Sequence, residues 1–171
     1  MATATRISLE EYLRTDYEPD VDYVDGVLED RNVGKRDHSY FHTLLIVRLY
    51  SQCQRVGGLV FTEQRLQVSA TRCRIPDICV VLGAYPAEQI FTAPPFLCIE
   101  ILSPEDTMSR MEKKISDYFT FGVKYVWVID PQERRGWVYS GEVSRLAVEG
   151  VLRTADPEVA VALADLLPTT E

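Results

Sequence analysis

Long apolar runs are missing from this chain of 171 residues. None approaches the roughly 20 residues that a membrane-spanning helix needs, so no membrane partner is expected. Histidine is scarce, with 2 in all, and the four cysteines (Cys53, Cys73, Cys79, Cys98) form no CxxC pair. His38 and His42 stand one helical turn apart, a spacing that can hold zinc, but there is no HExxH frame and no evident third ligand. Buried, reduced thiols are the expectation. Positive charge is short as well: 18 Lys and Arg face 26 Asp and Glu, for a net charge of -8. That balance excludes a general polyanion-binding protein. The opening "MATATRISLEEY" lacks the basic-then-apolar plan of a secretory signal, so a cytoplasmic location is expected. Repeats, linkers and low-complexity tracts are absent too. One domain spanning residues 1–171 is expected, long enough to bury a core.

The charge that is present is unevenly placed. Residues 1–30 hold 2 basic and 9 acidic side chains, residues 141–171 hold 2 and 6, and residues 31–140 hold 14 and 11. The acidic load lies at the two ends, and the middle is mildly basic. A polyanion can approach that middle if the fold keeps the ends away.

Local patterns predict an α/β chain. Ser8-Leu9-Glu10-Glu11 is a capping box that opens a short helix to Arg14. "VDYVDGVLED" reads as strand, turn and strand about Asp25-Gly26. Residues 36–56 form a helix with Phe41, Leu45, Leu49 and Cys53 in one stripe, stopped by Gly57-Gly58. Strands are expected at 59–68, 76–82 and 96–102, then a helix over 103–122 capped by Ser103 or Asp106 and stopped by Gly122. A strand at 124–130 completes a βαβ unit, whose two strands should be parallel. Residues 134–140 should return antiparallel, and 144–148 should add a further strand. "EVAVALADLL" is ambiguous. Trp127, Trp137, Tyr125 and Tyr139 alternate along strands and read as core or interface.

Two acids stand where apolar strands should be. In "RCRIPDICVV", Asp77 follows Pro76 at the mouth of a strand, since proline belongs at a strand's start or edge. Glu100 lies inside "FLCIEIL". A carboxylate entering a core must be paired, protonated or bound to a metal. Strand alternation puts Asp77 with Cys79 and Val81, and Glu100 with Cys98. If the two strands are neighbours, the carboxylates converge as a magnesium-type (or manganese) ligand pair. On the following helix, Met108, Met111, Ile115, Tyr118 and Phe119 share a face. Lys113 points away from it, whereas Lys114 lies at its border and can reach a polar pocket at the strand ends. Two carboxylates and a lysine suit metal-assisted phosphodiester hydrolysis. Each residue also has a plainer reading. Asp77 can pair with Arg72 or Arg74, Glu100 can be a satisfied core acid, and Lys114 can simply snorkel.

In order and spacing, "VDYVDG", His38 at a helix start, "RIPDICVV", "CIEILSPED", "KKISDYFTFGVKYVWVID" and "GWVY" resemble the Uma-type restriction endonuclease family. That family is long catalogued as a domain of unknown function within the PD-(D/E)XK superfamily. The resemblance implies a restriction-endonuclease-like mixed β-sheet flanked by helices, with Asp77 and Glu100 as catalytic metal ligands. The general superfamily pattern puts its lysine two residues after the second acid, where this chain has Leu102. The Uma-type pattern replaces it with a helical lysine four residues before a tyrosine, which Lys114 and Tyr118 match. Asp22 stands where the family has a glutamate, Val27 where it has another acid, and His38 matches the family helix. Asp22, His38 and Tyr118 are therefore accessory candidates.

The expected function is a Mg2+- or Mn2+-dependent endonuclease acting on DNA. Arg72, Arg74, Arg110 and Lys113 are the candidate nucleic-acid-binding residues. A nuclease for structured RNA and a catalytically impaired binding or scaffold protein are the alternatives. A homodimer through the exposed faces of residues 134–148 is expected by analogy with nucleases that cut both strands.

Overall fold

A computed structural model describes residues 6–31, 34–141, 143–146 and 150–167, with backbone only for 143–146. Its first helix, α1 (Leu9–Arg14), starts where the Ser8 hydroxyl accepts the Glu11 N–H. Strands β1 (Val21–Val24) and β2 (Val27–Asp30) pair antiparallel across a two-residue turn. Asp25 and Gly26 both have positive φ there, 50° and 93°. The turn suits the right-handed twist of a hairpin, and Asp-Gly is a residue pair that tolerates it.

Helix α2 (Arg36–Arg55) buries the stripe Phe41, Leu45, Leu49 and Cys53. The expected single strand at 59–68 is two: β3 (Gly58–Thr62) and β4 (Leu66–Ser69), in different sheets. Glu63, at φ 49°, breaks the run. The chain crosses back between the sheets at Pro76-Asp77, after β5 (Arg72–Arg74) and before β6 (Ile78–Leu82). Strand β7 (Leu97–Ile101) is buried at every position, as its apolar run demands of a strand covered on both faces. Helix α3 (Met108–Phe121) begins later than expected. Thr107 is its cap, while the Asp106 carboxylate accepts the Ser103 N–H. Gly122, at φ 111°, ends it in the left-handed region. Met108, expected on the buried face, is 55% exposed because it occupies the first turn, beyond the sheet.

Strand β8 (Tyr125–Asp130) runs parallel to β7, and β9 (Arg135–Ser140) and β10 (Val143–Leu146) return antiparallel. Residues 142 and 147–149, and the side chains of 143–146, lie outside the described residues. That covers part of the surface expected to meet a second copy. The ambiguous tail forms β11 (Val151–Arg153), β12 (Ala160–Ala162) and a 3-10 turn at Leu163–Leu166.

The central sheet has the order β10-β9-β8-β7-β6-β3, and a second sheet the order β2-β1-β5-β4. One face of the central sheet (Ile78, Val80, Leu97, Ile99, Trp127) packs on α2 and the C-terminal strands. Its other face (Cys79, Cys98, Val126, Val128) packs on Met111, Ile115 and Tyr118 of α3 and on Leu66 and Val68 of β4. All four cysteines are buried and unpaired. Among the described residues, no helix is long and apolar enough to cross a membrane.

Candidate active site

The antiparallel register of β6 on β7 pairs Ile78 with Ile99 and Cys79 with Cys98. Continued by one residue, it sets Asp77 opposite Glu100, so both side chains leave the same face. The Ile101 N–H donates to Asp77 Oδ2 at 2.7 Å, which locks the strand entrance onto β7. The carboxylates share a cleft with Arg31, His38, Ser103, Asp106, Arg110, Met111 and Lys114.

Glu100 is 4% exposed. Its Oε2 accepts from Lys114 Nζ at 2.8 Å and its Oε1 from the Tyr118 hydroxyl at 2.5 Å. One turn of α3 separates these donors, so a single helix face grips both oxygens. Burial raises the Glu100 carboxyl above its ordinary range against the pull of Lys114. Burial also opposes the charge on Lys114, but Asp22, Glu100 and Asp77 outweigh it and raise the ammonium's pKa. Lys114 is thus a cation at neutral pH. Lys113, its neighbour, is exposed and does not line the cleft.

Asp77 is held by residues other than the arginines the sequence suggested. Arg31 Nη2 lies 3.1 Å from Oδ1, and His38 Nε2 lies 3.4 Å from Oδ2. His42 Nε2 contacts the Asp77 carbonyl oxygen at 3.0 Å. Burial opposes the Asp77 charge, but His38, Lys114 and Arg31 together hold its carboxyl below the ordinary range. The same hydrogen bond to Asp77 raises the His38 imidazole. Nothing in the local sequence marked Arg31. It ends the β1–β2 hairpin, 46 positions from its partner.

Behind the site lies a network of buried ions. Asp22 is fully buried, accepts the Ile75 N–H at 3.0 Å, pairs with Arg74 at 3.1 Å and lies 3.8 Å from Lys114. Arg74, expected at a nucleic-acid surface, is 1% exposed. Its donors go to Asp22, Glu29 and Asp117. Arg72 is partly exposed and spans Asp25 and Asp117. Arg110 lies at the mouth of the cleft and donates to the Asp30 carbonyl.

The sequence matches, over residues 9–168, the family described as "Putative restriction endonuclease", Uma2. The chain belongs to that family. A crystal structure of a "putative nuclease belonging to DUF820" from Anabaena variabilis ATCC 29413 shares the fold. Its TM-score is 0.81 at 24% identity, with 94% of this chain and 97% of that chain covered. No curated protein matches this chain. Uma2 membership and the shared fold indicate a restriction-endonuclease-like nuclease.

A Uma2 site of this kind implies a divalent cation, and the donor set fits one. Among the described residues, Asp77 Oδ1 takes one hydrogen bond and each Glu100 oxygen takes one. Each of these atoms therefore keeps a lone pair. Among the described residues, no group of three or more His, Cys, Asp or Glu gathers as a complete ligand set. Two carboxylates with the remaining positions left to water and phosphate match a hard ion such as Mg2+ better than Zn2+.

Proposed function

We propose that this Uma2 protein is a Mg2+- or Mn2+-dependent endonuclease that hydrolyses phosphodiester bonds of DNA. The observation that carries the reading is the convergence of Asp77 and Glu100 at the strand ends, with Lys114 held 2.8 Å from Glu100 inside an open cleft. Asp77 and Glu100 would hold the metal, which when bound polarises the phosphate and acidifies water. Tyr118 fixes the rotamer of Glu100 by holding its second oxygen. Lys114, kept charged, orients the attacking water or offsets the charge that develops on the phosphate. The Ile101 N–H and His38 set the direction of the Asp77 carboxylate.

Phosphate contacts outside the cleft are few. Arg74 is enclosed, and Lys35, Arg36 and Arg65 are engaged with Glu105, Asp37 and Asp20. Arg110 lines the cleft, Lys113 is exposed on the same helix outside it, and Arg72 is partly accessible. Log affinity against log salt should therefore have a shallow slope, roughly -2 to -3, as for two or three neutralised phosphates. Fluorescence anisotropy with a labelled duplex between low and moderate salt measures it, and a slope steeper than about -6 contradicts this sparse surface. A second copy, bound so that two clefts face opposite strands, is the assembly suited to cutting duplex DNA.

The impaired-scaffold reading has one specific observation behind it: Arg31 and His38 already satisfy Asp77 without a metal. One experiment separates the readings. Supercoiled plasmid and a structured RNA are incubated with the protein and Mn2+ or Mg2+, with and without chelator, alongside thermal unfolding under the same conditions. The nuclease reading requires metal-dependent nicking and a rise in Tm with metal, because binding to the folded state alone stabilises it. Cleavage of RNA alone replaces the substrate. Neither cleavage nor stabilisation leaves the scaffold.

A further inference from the structure

Among the described residues, Arg31 is the one cation in direct contact with Asp77 that cannot give up its charge. Its side chain is 13% exposed, and its Nη1 lies 3.7 Å from Glu63 Oε1 while Nη2 rests on Asp77. Arg31, His38 and Asp77 also line a second cavity beside the active-site cleft, along with Glu63, Asp20 and Ser39. The guanidinium thus bridges an acid of the proposed metal site and an acid of the neighbouring cavity. Glu63 is 59% exposed and accepts the weaker end of the bridge.

We propose that Arg31 is an internal competitor for the metal position: it holds Asp77 Oδ1 in the metal-free protein, and loading displaces it toward Glu63. The inference rests on the metal-nuclease reading above and adds a residue that sets the affinity of that site. A dication beside Asp77 meets repulsion from a guanidinium 3.1 Å from the same oxygen. Arginine cannot shed its charge to relieve that repulsion. Moving the guanidinium off Asp77 relieves it, and Glu63, whose Oε1 is already 3.7 Å from Nη1, is a carboxylate within its reach. Metal entry therefore costs one charge-assisted hydrogen bond, which the protein recovers only in part at the more exposed Glu63.

The test is titration of Mn2+ into wild type, Arg31→Gln, Arg31→Lys, Glu63→Gln and the Arg31→Gln/Glu63→Gln double variant. Affinity is read by calorimetry and by Tm shift, without any cleavage assay. Arg31→Gln should bind Mn2+ roughly tenfold to a hundredfold more tightly, the equivalent of one hydrogen bond to a charged group. Arg31→Lys keeps the charge but loses the planar fork, so its affinity should lie between wild type and Arg31→Gln. Glu63→Gln should weaken binding in the wild-type background and change nothing in the Arg31→Gln background. Equal affinity in wild type and Arg31→Gln overturns the competitor role while leaving the metal site standing. An Arg31→Lys variant indistinguishable from wild type, beside a tightened Arg31→Gln, reduces Arg31 to a distant charge and also overturns it. A Glu63→Gln effect that persists without Arg31 overturns the displacement route. Absence of Mn2+ binding in every variant removes the metal-nuclease reading and this inference with it. Should Arg31→Gln fail to fold, the Arg31→Lys and Glu63→Gln titrations decide alone: affinity unchanged from wild type in both is the overturning result.

Discussion

Lys114→Ala is expected to lower single-turnover cleavage by about a hundredfold or more, whereas Lys113→Ala leaves the rate nearly unchanged. The two lysines are adjacent in sequence but not in environment. Lys114 is 6% exposed, with Nζ 2.8 Å from Glu100 Oε2, 3.4 Å from the Ile75 carbonyl and 3.8 Å from Asp22. Lys113 is exposed and can contribute at most a peripheral phosphate contact. Removing Lys114 takes away a fixed cation whose geometry was set before substrate arrives, so the loss falls on the chemical step and substrate affinity stays close to wild type. Arginine at 114 should not rescue, because a planar guanidinium cannot occupy the slot of a point-like ammonium between three oxygens. The truncation also leaves Glu100 and Asp22 without their shared cation. Breaking a buried pair costs about 3–5 kcal/mol, so rates must be measured where the variant is shown to be folded. Single-turnover assays on a short duplex with Mn2+ at fixed salt make the comparison. Equal rates for Lys114→Ala and wild type, or a larger loss at Lys113, would remove Lys114 from the mechanism.

Arg74→Gln should destabilise the fold by about 3–5 kcal/mol without altering the salt slope of nucleic-acid binding. Arg74 Nε bonds Asp117 at 2.8 Å, and Nη1 bonds Glu29 at 2.8 Å and Asp22 at 3.1 Å. These carboxylates come from α3, β2 and β1, so one guanidinium ties the N-terminal hairpin to the helix that carries Lys114. Glutamine can replace one hydrogen bond but no charge, leaving the fully buried Asp22 to the Ile75 N–H and the more distant Lys114 ammonium at 3.8 Å. Against a total stability of about 5–15 kcal/mol, the expected loss is a large fraction. Urea unfolding of the two proteins gives the difference. A loss under about 1 kcal/mol would mean that the network relaxes into water. A salt slope shallower by about 1 would return Arg74 to the phosphate-binding surface.

Much of the site was legible because it follows from short-range periodicity. The alternation along "FLCIEIL" and "PDICVV" set which face Glu100 and Asp77 occupy, and helical spacing separated Lys114 from Lys113. The cap and stop residues Ser8, Gly57 and Gly122 marked helix ends for local steric and hydrogen-bonding reasons. The failures occurred where two local signals overlap. "LVFTEQRLQV" keeps a strand-like composition straight through Glu63, and only the positive φ of that residue, imposed by the crossing between sheets, divides it. Ser103, Asp106 and Thr107 all suit a helix cap, and the choice of Thr107 depends on how α3 is laid against the sheet.

The sequence by itself determined the strand and helix faces, the position of one acid at a strand mouth and another inside a second strand, and the helix face that carries Lys114. These depend on periods of two and 3.6 residues, which a chain cannot hide. That the two strands are neighbours came only with the sheet order. Tertiary structure alone decided which charges meet. Arg31 reaches Asp77 across 46 positions and Arg74 reaches Asp22 across 52. An arginine that looks free to hold phosphate in "RCRIPD" is enclosed by three carboxylates instead. Ion pairs of this range are selected by sheet order and strand register, where a shift of one residue would turn every side chain to the opposite face.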